Sequence, residues 1–224
     1  MIIKTNFHLH TADDPKDKIP HTIYEAVDKA KEKGYGALAI TCHEKVVFKK
    51  EYIEYAKQKG ILLIPGIEAK IKKKHVVILG CNEEAEKIKT FQELKNYKKN
   101  NPQIFILAPH PFVWSRKSLG KKLIKNIALF DAIELTIFSN KIFDFNKKAM
   151  AVSTKYNKPL IATSDTHQLK DANRGYALIN ANEKTPRAIF EAIKKRQFEN
   201  KMNSMGILAM MEIKIKFILK ELFY

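Results

Sequence analysis

Two histidines near the start of the chain are the first candidates for chemistry. His8 and His10 follow the apolar run Met1-Ile2-Ile3, which is typical of a first β-strand. Residues two apart on a strand point to the same side, so the two imidazoles share one face. Two imidazoles on one face at the end of a strand can bind one metal ion. The pair therefore predicts a metal site at the carboxyl end of the first strand.

Similar polar residues lie at the ends of the other apolar segments. His75 opens a predicted strand, and the strands before and after it end at or near His43, Glu68, His110, Glu134, Asp165 and His167. Burying so many titratable groups together would cost several kcal/mol each unless they were paired or metal-bound. Imidazole and carboxylate ligands without thiolates indicate Zn, Mn or Fe(II). About nine potential ligands indicate two or three ions, which together suit phosphoester hydrolysis.

The elements that position these residues alternate between strands and helices. Helices are predicted over about 22–33, 50–59, 90–100, 146–156 and 185–195, with continuous apolar strands between them. This alternation is typical of an α/β fold with a parallel sheet. Seven or eight units suit a TIM-like (β/α) barrel, whose site lies at the carboxyl ends of its strands. A doubly wound sheet is excluded because no glycine-rich phosphate turn follows the first strand.

The composition suits one soluble globular domain. The chain has 224 residues, of which 45% are hydrophobic and 29% charged. Met1 leads straight into a strand and no apolar run reaches about 18 residues, so neither a signal peptide nor a membrane span is expected. The two cysteines, Cys42 and Cys81, match neither a disulfide framework nor a zinc finger. We therefore expect a cytoplasmic protein without a membrane partner.

The net charge of +17 leaves two interpretations open. Strong basicity is typical of proteins that bind nucleic acid or another polyanion. Arginine, which binds phosphate through two parallel hydrogen bonds, occurs only at positions 116, 174, 187 and 196. The lysines are spread along the chain, although stretches 70–74 and 117–125 are locally dense. We therefore favour a generally lysine-rich composition, which still attracts anionic substrates.

Five short motifs occur in a fixed order along the chain. They are His8-Leu9-His10-Thr11, Ile40-Thr41-Cys42-His43, Pro65-Gly66-Ile67-Glu68, Ala108-Pro109-His110-Pro111 and Thr163-Ser164-Asp165-Thr166-His167. From residue 8 to about 167 the chain thus resembles the polymerase-and-histidinol-phosphatase (PHP) family. The resemblance implies a distorted seven-stranded (β/α) barrel with a trinuclear metal centre that hydrolyses phosphoesters. It also implies a metal-bound hydroxide as nucleophile, supported by His8, His10, Glu68, Asp165 and His167.

The same resemblance implies how the ligands divide among the ions. The groups would be His8, His10, Glu68 and Asp165; Glu68, His75 and His110; and His43, His167 and a residue of the loop after His10. The family has Asp or His at that last position. Counting forward from His10 favours Asp14, counting back from Gly34 favours Asp17, and Asp13 is a further candidate.

Other positions are assigned supporting roles. Cys42 stands where the family commonly has Asp, and we interpret it as a small buried side chain, with a thiolate of lowered pKa as the alternative. Glu134 is expected to orient a histidine rather than bind a metal. Phe112 and Trp114 are candidates for lining a substrate pocket. The cations expected to hold phosphoryl oxygens are Arg116, Lys117, Lys141 and Arg174.

Residues 1–200 are expected to form the barrel, and residues 201–224 an amphipathic C-terminal helix that packs on it or serves in oligomerisation. The first candidate function is hydrolysis of a phosphorylated small molecule, either a phosphomonoester or a nucleotide. The alternative is a nuclease or a phosphodiesterase that processes nucleic-acid ends. A third, less favoured, is a non-catalytic metal-binding scaffold. The oligomeric state stays open.

Overall fold

The computed structural model describes residues 1–140, 142, 144–206 and 210–211, and nine strands within these ranges form one sheet. The strands are β1 (Ile2–Asn6), β2 (Ala37–Ile40), β3 (Leu62–Ile71), β4 (Lys74–Leu79), β5 (Phe105–Ala108), β6 (Ala132–Leu135), β7 (Leu160–Ala162), β8 (Gly175–Asn180) and β9 (Phe198–Met202). Their spatial order is β7-β6-β5-β4-β3-β2-β1-β8-β9. The first seven strands are therefore neighbours in chain order.

Strands β1 to β7 curve into a nearly closed ring. Just beyond β1 and β7, Leu9 and Thr166 form a parallel bridge. In this bridge the His10 amide donates to the Thr166 carbonyl over 3.0 Å, and the Thr166 amide donates to the His8 carbonyl over 3.1 Å. The Asn200 side chain of β9 exchanges two further hydrogen bonds with the backbone of β7. The predicted distorted seven-stranded barrel is confirmed.

One strand of the ring runs against the others. β4 is antiparallel to both β3 and β5, while the remaining ring pairs are parallel. The expectation of a wholly parallel sheet is therefore wrong at β4, and also at β8 and β9, which pair antiparallel outside the ring. The cause at β4 is a two-residue turn at Lys72 and Lys73, which joins β3 and β4 as a hairpin. β3 consequently runs through Glu68, which the sequence placed after the strand, and on to Ile71.

Six α-helices occur within the described ranges. They are α1 (Ile23–Glu32), α2 (Lys50–Gln58), α3 (Phe91–Asn100), α4 (Lys121–Lys125), α5 (Phe145–Lys155) and α6 (Pro186–Lys194). The five longer helices agree with the predicted ones to within a residue at each end. α1 begins with a capping box, in which Thr22 accepts from the Glu25 amide and the Glu25 carboxylate accepts from the Thr22 amide.

Apolar side chains fill the amino end of the ring. Phe105 and Leu107 of β5 share a buried cluster with Ile189, Phe190 and Ile193 of α6. The rings of Phe105 and Phe190 stack with centroids 5.0 Å apart. The alternate residues of β5 face a second cluster, to which α3 and α5 contribute. With the amino end filled in this way, polar residues collect at the carboxyl end.

The predicted C-terminal helix over 201–224 falls mostly outside the described residues. β9 pairs with β8 across residue 200, and the division of the chain at that residue stays a prediction. No helix in the described part of the chain has the length and apolar character needed to cross a membrane.

Candidate metal centre

Eight of the residues predicted from the sequence meet at the carboxyl end of the ring. They come from six strands or the segments directly after them: His8, His10, His43, Glu68, His75, His110, Asp165 and His167. His75 reaches this end because β4 is antiparallel and begins where its neighbours end. Asp165 and His167 are half-buried, and the other six side chains are buried. We call these eight residues the cluster.

Glu68 lies at the centre of the cluster. Its Oε1 is 2.7 Å from His75 Nδ1 and 2.9 Å from His110 Nε2. Its Oε2 is 3.0 Å from His43 Nε2. The Glu68 amide donates to the Cys42 carbonyl over 3.1 Å, which fixes the backbone beneath the carboxylate. A carboxylate whose two oxygens face different imidazoles can be shared between two cations.

A second group surrounds Asp165. Its Oδ1 lies 3.3 Å from His8 Nε2 and 3.4 Å from His10 Nε2. These three buried atoms have no hydrogen-bond partner within the described part of the chain. Two atoms that bind the same tetrahedral ion, each at about 2.1 Å, lie about 3.4 Å apart. The distances from Asp165 Oδ1 to the two imidazole nitrogens are close to this value. Because unpaired buried polar atoms are costly, this donor set fits a divalent cation.

Two further carboxylates determine which ring nitrogens face the cluster. His8 Nδ1 donates to Glu134 Oε1 over 2.9 Å, so His8 directs Nε2 inward. His10 Nδ1 and His43 Nδ1 both donate to Asp14 Oδ2 over 2.8 Å. Carboxylates commonly hold metal-binding imidazoles in this way, because the bond fixes both the tautomer and the ring orientation. Glu134 and Asp14 thus lie behind the imidazoles.

Asp14 uses its lone pairs fully. Besides the two imidazoles, its Oδ2 accepts from the His43 amide over 2.8 Å. Its Oδ1 accepts from the amides of Lys16 and Asp17 over 2.8 and 3.0 Å. A carboxylate offers about four lone-pair positions, so these five bonds leave none for a metal.

Asp17 and Asp13 point in different directions. Asp17 Oδ2 lies 3.4 Å from His167 Nε2 and 3.8 Å from His43 Nδ1. Asp13 Oδ1 instead accepts from the Tyr52 hydroxyl of α2 over 3.3 Å. Asp17 therefore directs an oxygen toward both His43 and His167 of the third predicted group, whereas Asp14 contacts His43 and His10.

Two residues of the cluster have left-handed backbone. The φ angles are 59° at His110 and 42° at Asp165. Non-glycine residues adopt this conformation rarely, at a cost of about 1–3 kcal/mol each, and mostly at functional sites. The Ser118 hydroxyl donates to the His110 carbonyl over 3.0 Å and helps to hold one of these turns.

Charges of both signs are balanced in the cluster. Burial alone would lower the pKa of His43, but attraction to Glu68 and Asp14 outweighs it and raises the pKa to about 10. Burial would raise the pKa of Glu68, but the surrounding imidazoles hold it well below its ordinary value. Burial dominates at His75 and lowers its pKa to about 4. The carboxylates are therefore ionised, which favours cations.

Cys42 is a fully buried thiol beside the cluster. Its Sγ lies 3.5 Å from Thr11 Oγ1. Burial raises the pKa of Cys42 to about 11, so the thiol stays protonated. This favours a small buried side chain over the thiolate alternative.

Of the predicted substrate-binding cations, Arg116, Lys117 and Arg174 lie on loops of the described chain. Arg116 is exposed on the loop after β5, and the Lys117 carbonyl accepts from the His75 amide over 2.9 Å. Arg174 Nε donates to a neighbouring aspartate over 2.6 Å. Lys141 falls outside the described residues. Contact of these cations with a substrate stays a prediction.

His21 is a residue that the sequence did not reveal. It is buried, and its Nε2 donates to the His10 carbonyl over 2.9 Å. The Ala12 amide donates in turn to the His21 carbonyl over 2.7 Å. His21 thus braces the loop that carries Asp14 and Asp17. No local pattern signals this role, because His21 precedes a helix and follows no strand.

Comparison with known families agrees with the geometry. The model of the PHP domain matches residues 6–202, which is most of the chain. The chain belongs to the PHP domain family. The resemblance inferred from the five motifs is thereby confirmed. No protein of curated function matches the chain in sequence.

Solved structures share the fold of this PHP domain. A two-domain protein from Bacteroides vulgatus, described as containing a PHP-like metal-dependent phosphoesterase, matches with a TM-score of 0.67 and 19% identity over 91% of this chain and 65% of that one. PsfC from Pseudomonas syringae matches at 0.64 and 14%, over 100% and 99%. The lesion-specific endonuclease PfuEndoQ from Pyrococcus furiosus matches at 0.64 and 17%, over 90% and 57%. The PHP chain thus spans 65% of the first protein's length.

Proposed function

We propose that this PHP protein hydrolyses phosphoester bonds with a centre of two to three divalent ions, which are Zn, Mn or Fe. Family membership and the phosphoesterases of the same fold support a hydrolase acting on phosphoester bonds. The observation that carries the proposal is the group of unpaired buried atoms, His8 Nε2, His10 Nε2 and Asp165 Oδ1. Imidazole and carboxylate donors suit these ions.

The proposed ligands keep the division that the family resemblance implies, with Asp17 as the ligand from the loop after His10. They are His8, His10, Glu68 and Asp165; Glu68, His75 and His110; and His43, His167 and Asp17. Within each of four subsets of these histidines, Glu68 and Asp165, the candidate ligand atoms lie within 4.8 Å of one another. Asp17 is preferred to Asp14 because Asp17 Oδ2 lies beside two imidazoles of its group, whereas the oxygens of Asp14 are occupied.

The residues of the chain prepare the site before any substrate arrives. Divalent ions, when bound, supply Lewis acidity and lower the pKa of water to near neutrality. Glu134 and Asp14 hold His8 and His10 with Nε2 inward, so the donor atoms are already aimed. Ionised Glu68 would offer one carboxylate oxygen to each of the two proposed ion positions that share it. Cationic side chains on the surrounding loops would hold the phosphoryl oxygens during in-line attack.

Metal analysis and model substrates test the proposal. We expect about two to three ions per chain, and hydrolysis of p-nitrophenyl phosphate or bis(p-nitrophenyl) phosphate. His10→Ala and Asp165→Ala should abolish hydrolysis and leave the circular dichroism spectrum unchanged. Glu51→Gln, an exposed change on α2, should leave both unchanged. Neither metal nor activity after Mn or Zn is supplied would indicate the non-catalytic scaffold instead.

A nuclease is the second candidate. The observation that favours it is the meeting of the lysine-rich stretches 70–74 and 117–125 beside the cluster, where Lys122 Nζ donates to the Lys72 carbonyl over 3.2 Å. An endonuclease Q structure of the same fold contains a 27-mer duplex with an abasic lesion at the active site. The ratio of monoester to diester hydrolysis separates a phosphatase on a small phosphorylated molecule from a nuclease.

A cytoplasmic location is part of the proposal. Cys42 and Cys81 are both unpaired thiols, as is usual in a reducing compartment.

A further inference from the structure

A cleft of about 850 Å³ adjoins the metal centre and has an aromatic wall. The wall contains Phe112, Trp114 and Phe145. Trp114 packs edge-to-face on Phe145, with ring centroids 5.1 Å apart and an interplanar angle of 76°. Trp114 is nevertheless 68% exposed. A large aromatic side chain that is held in place and still exposed in a cleft is typical of a ligand-binding surface.

Backbone connections place this cleft directly beside the cluster. Lys74 and Pro111 line the cleft and are the chain neighbours of His75 and His110. The loop with Trp114 is tied to the cluster where the Ser118 hydroxyl donates to the His110 carbonyl. The cleft and the cluster therefore share two backbone segments, at residues 74–75 and 110–111.

Lysines form the rim of the cleft. Those that line it are Lys74, Lys121, Lys122 and Lys148. Among the described lining residues, Asp144 is the one carboxylate, and it accepts from the Lys147 amide as the cap of α5. Lys148 Nζ lies 4.9 Å from the centroid of the Phe112 ring.

The fold unites two lysine-rich stretches that are separate in the sequence. Lys122 Nζ donates to the Lys72 carbonyl over 3.2 Å, and Lys74 Nζ donates to the Arg116 carbonyl over 2.6 Å. Both bonds use carbonyl oxygens, so the ammonium charges are not neutralised by them. We call the resulting surface the lysine patch; it consists of Lys72, Lys73, Lys74, Lys121 and Lys122.

We propose that the cleft binds a single strand of nucleic acid, with bases stacked on Trp114 and phosphates on the lysine patch. A single strand presents a flat base and a phosphate at every nucleotide, and surfaces that combine aromatic rings with cations bind such strands. Lysine rather than arginine on the rim suits contact without sequence preference. The inference rests on the proposed function, since it names the strand as substrate of the metal centre.

Trp114 is the only tryptophan of the chain, so fluorescence excited selectively at tryptophan reports on this cleft. The metal-loaded full-length protein is titrated with a thymidine 12-mer and with an abasic 12-mer of equal charge, both carrying phosphorothioate linkages that resist hydrolysis, and a gel checks that both stay intact. We expect the thymidine strand to quench the fluorescence and to bind about tenfold more tightly than the abasic strand. Equal affinities without quenching would overturn the proposal. Equally tight binding of thymidine monophosphate would also overturn it, in favour of a mononucleotide.

Two sets of variants separate the contribution of base stacking to the affinity from that of charge. Binding is followed by the fluorescence anisotropy of labelled strands. Trp114→Ala should bind the thymidine strand about tenfold more weakly and the abasic strand with unchanged affinity. Trp114→Phe should retain most of the affinity for the thymidine strand. The double variant Lys121→Gln, Lys122→Gln should reduce the slope of log affinity against log salt by about 1.4. Lys31→Gln, Lys57→Gln removes the same charge from the exposed faces of α1 and α2 and should leave the slope unchanged. Unchanged affinity in Trp114→Ala would reject the stacking.

Hydrolysis by the unaltered protein separates the two possible failures. If bis(p-nitrophenyl) phosphate is hydrolysed and the thymidine strand does not bind, the cleft inference fails and the proposed function stands. If the strand binds with quenching and no phosphoester is hydrolysed, the cleft stands as a binding surface but the strand is no substrate, which contradicts that part of the inference.

Discussion

Carboxylates behind the imidazoles determine the geometry of this metal centre at the scale of single residues. Asp14 holds two imidazoles and Glu134 holds a third, so each ring has one nitrogen committed before a cation binds. The type and spacing of His8 and His10 predict a metal site, but they do not predict which aspartate supports it. That choice depends on how the loop after His10 folds back, which local pattern does not encode.

Separate substitutions of Asp17 and Asp14 by asparagine test the roles of these two loop aspartates. Asp17→Asn should remove about one ion per chain and leave the rest bound, because it weakens one donor of the third group. Asp14→Asn should instead weaken binding at the groups of both His10 and His43, by about 10–100-fold, because those imidazoles lose their orientation. Metal analysis with competition titration measures both. The reverse pattern would make Asp14 the ligand.

Removal of the Glu134 side chain tests its support of His8. In Glu134→Ala the buried His8 Nδ1 loses its acceptor, which should cost about 1–3 kcal/mol of stability. We expect the melting temperature to fall by about 2–10 °C and metal affinity to fall about 10–100-fold. Glu134→Gln keeps an acceptor oxygen and should lose less. Equal losses in the two variants would show that charge, rather than the hydrogen bond, is what matters.

At the scale of elements, the β3–β4 hairpin carries two members of the cluster on one unit. The sequence ends β3 too early because Pro65 and Gly66 usually interrupt strands. Glycine suits position 66 because an added Cβ would lie 3.0 Å from the Ile40 carbonyl oxygen of β2, which is tighter than most such contacts. The helices, by contrast, were predicted almost to the residue, because their apolar period and caps are local signals.

The turn of this hairpin can be improved without touching the metal centre. Lys72 and Lys73 have φ angles of 48° and 64°, the pattern of a type I′ turn, which prefers Asn-Gly. Lys72→Asn with Lys73→Gly should therefore stabilise the fold by about 1 kcal/mol and raise the melting temperature by about 2–4 °C. Hydrolysis of a small diester should not change. A lower melting temperature would mean that the lysine side chains stabilise the turn more than the backbone strain costs.

Contacts between segments that are distant in the sequence cannot be predicted from local sequence patterns. The two lysine-rich stretches look like scattered surface charge in the sequence, and only the hairpin and the loop after β5 bring them together. The same holds for His21 under His10. Histidines at the ends of strands predict where the site lies. Residues from other parts of the chain complete the site, and local patterns do not identify them.

At the scale of the whole molecule, the cluster joins six strands of the seven-stranded ring. Cations bound there would bind the folded chain and not the unfolded one, so they would add to the free energy of unfolding. Without cations, the ring is held by strand pairing and by apolar packing at its amino end.

Metal removal should therefore lower the stability of the entire barrel. With free ion at about 100 times its dissociation constant, each bound ion contributes about 2.7 kcal/mol, or about 5–10 °C in melting temperature. A chelator should remove this increment and added Mn or Zn should restore it, as followed by differential scanning calorimetry. Asp165→Asn should show a smaller shift. An unchanged melting temperature after verified metal loss would contradict a centre that ties the strands together.

The bridge between Leu9 and Thr166 also has a consequence for synthesis of the chain. β1 can pair with β2 early, but Leu9 meets Thr166 only after more than 150 further residues have been translated, so ring closure follows the synthesis of all seven strands. Contacts this distant along the chain slow folding. The first histidines emerge from the ribosome long before Asp165, so a centre that needs both would bind its cations late in synthesis.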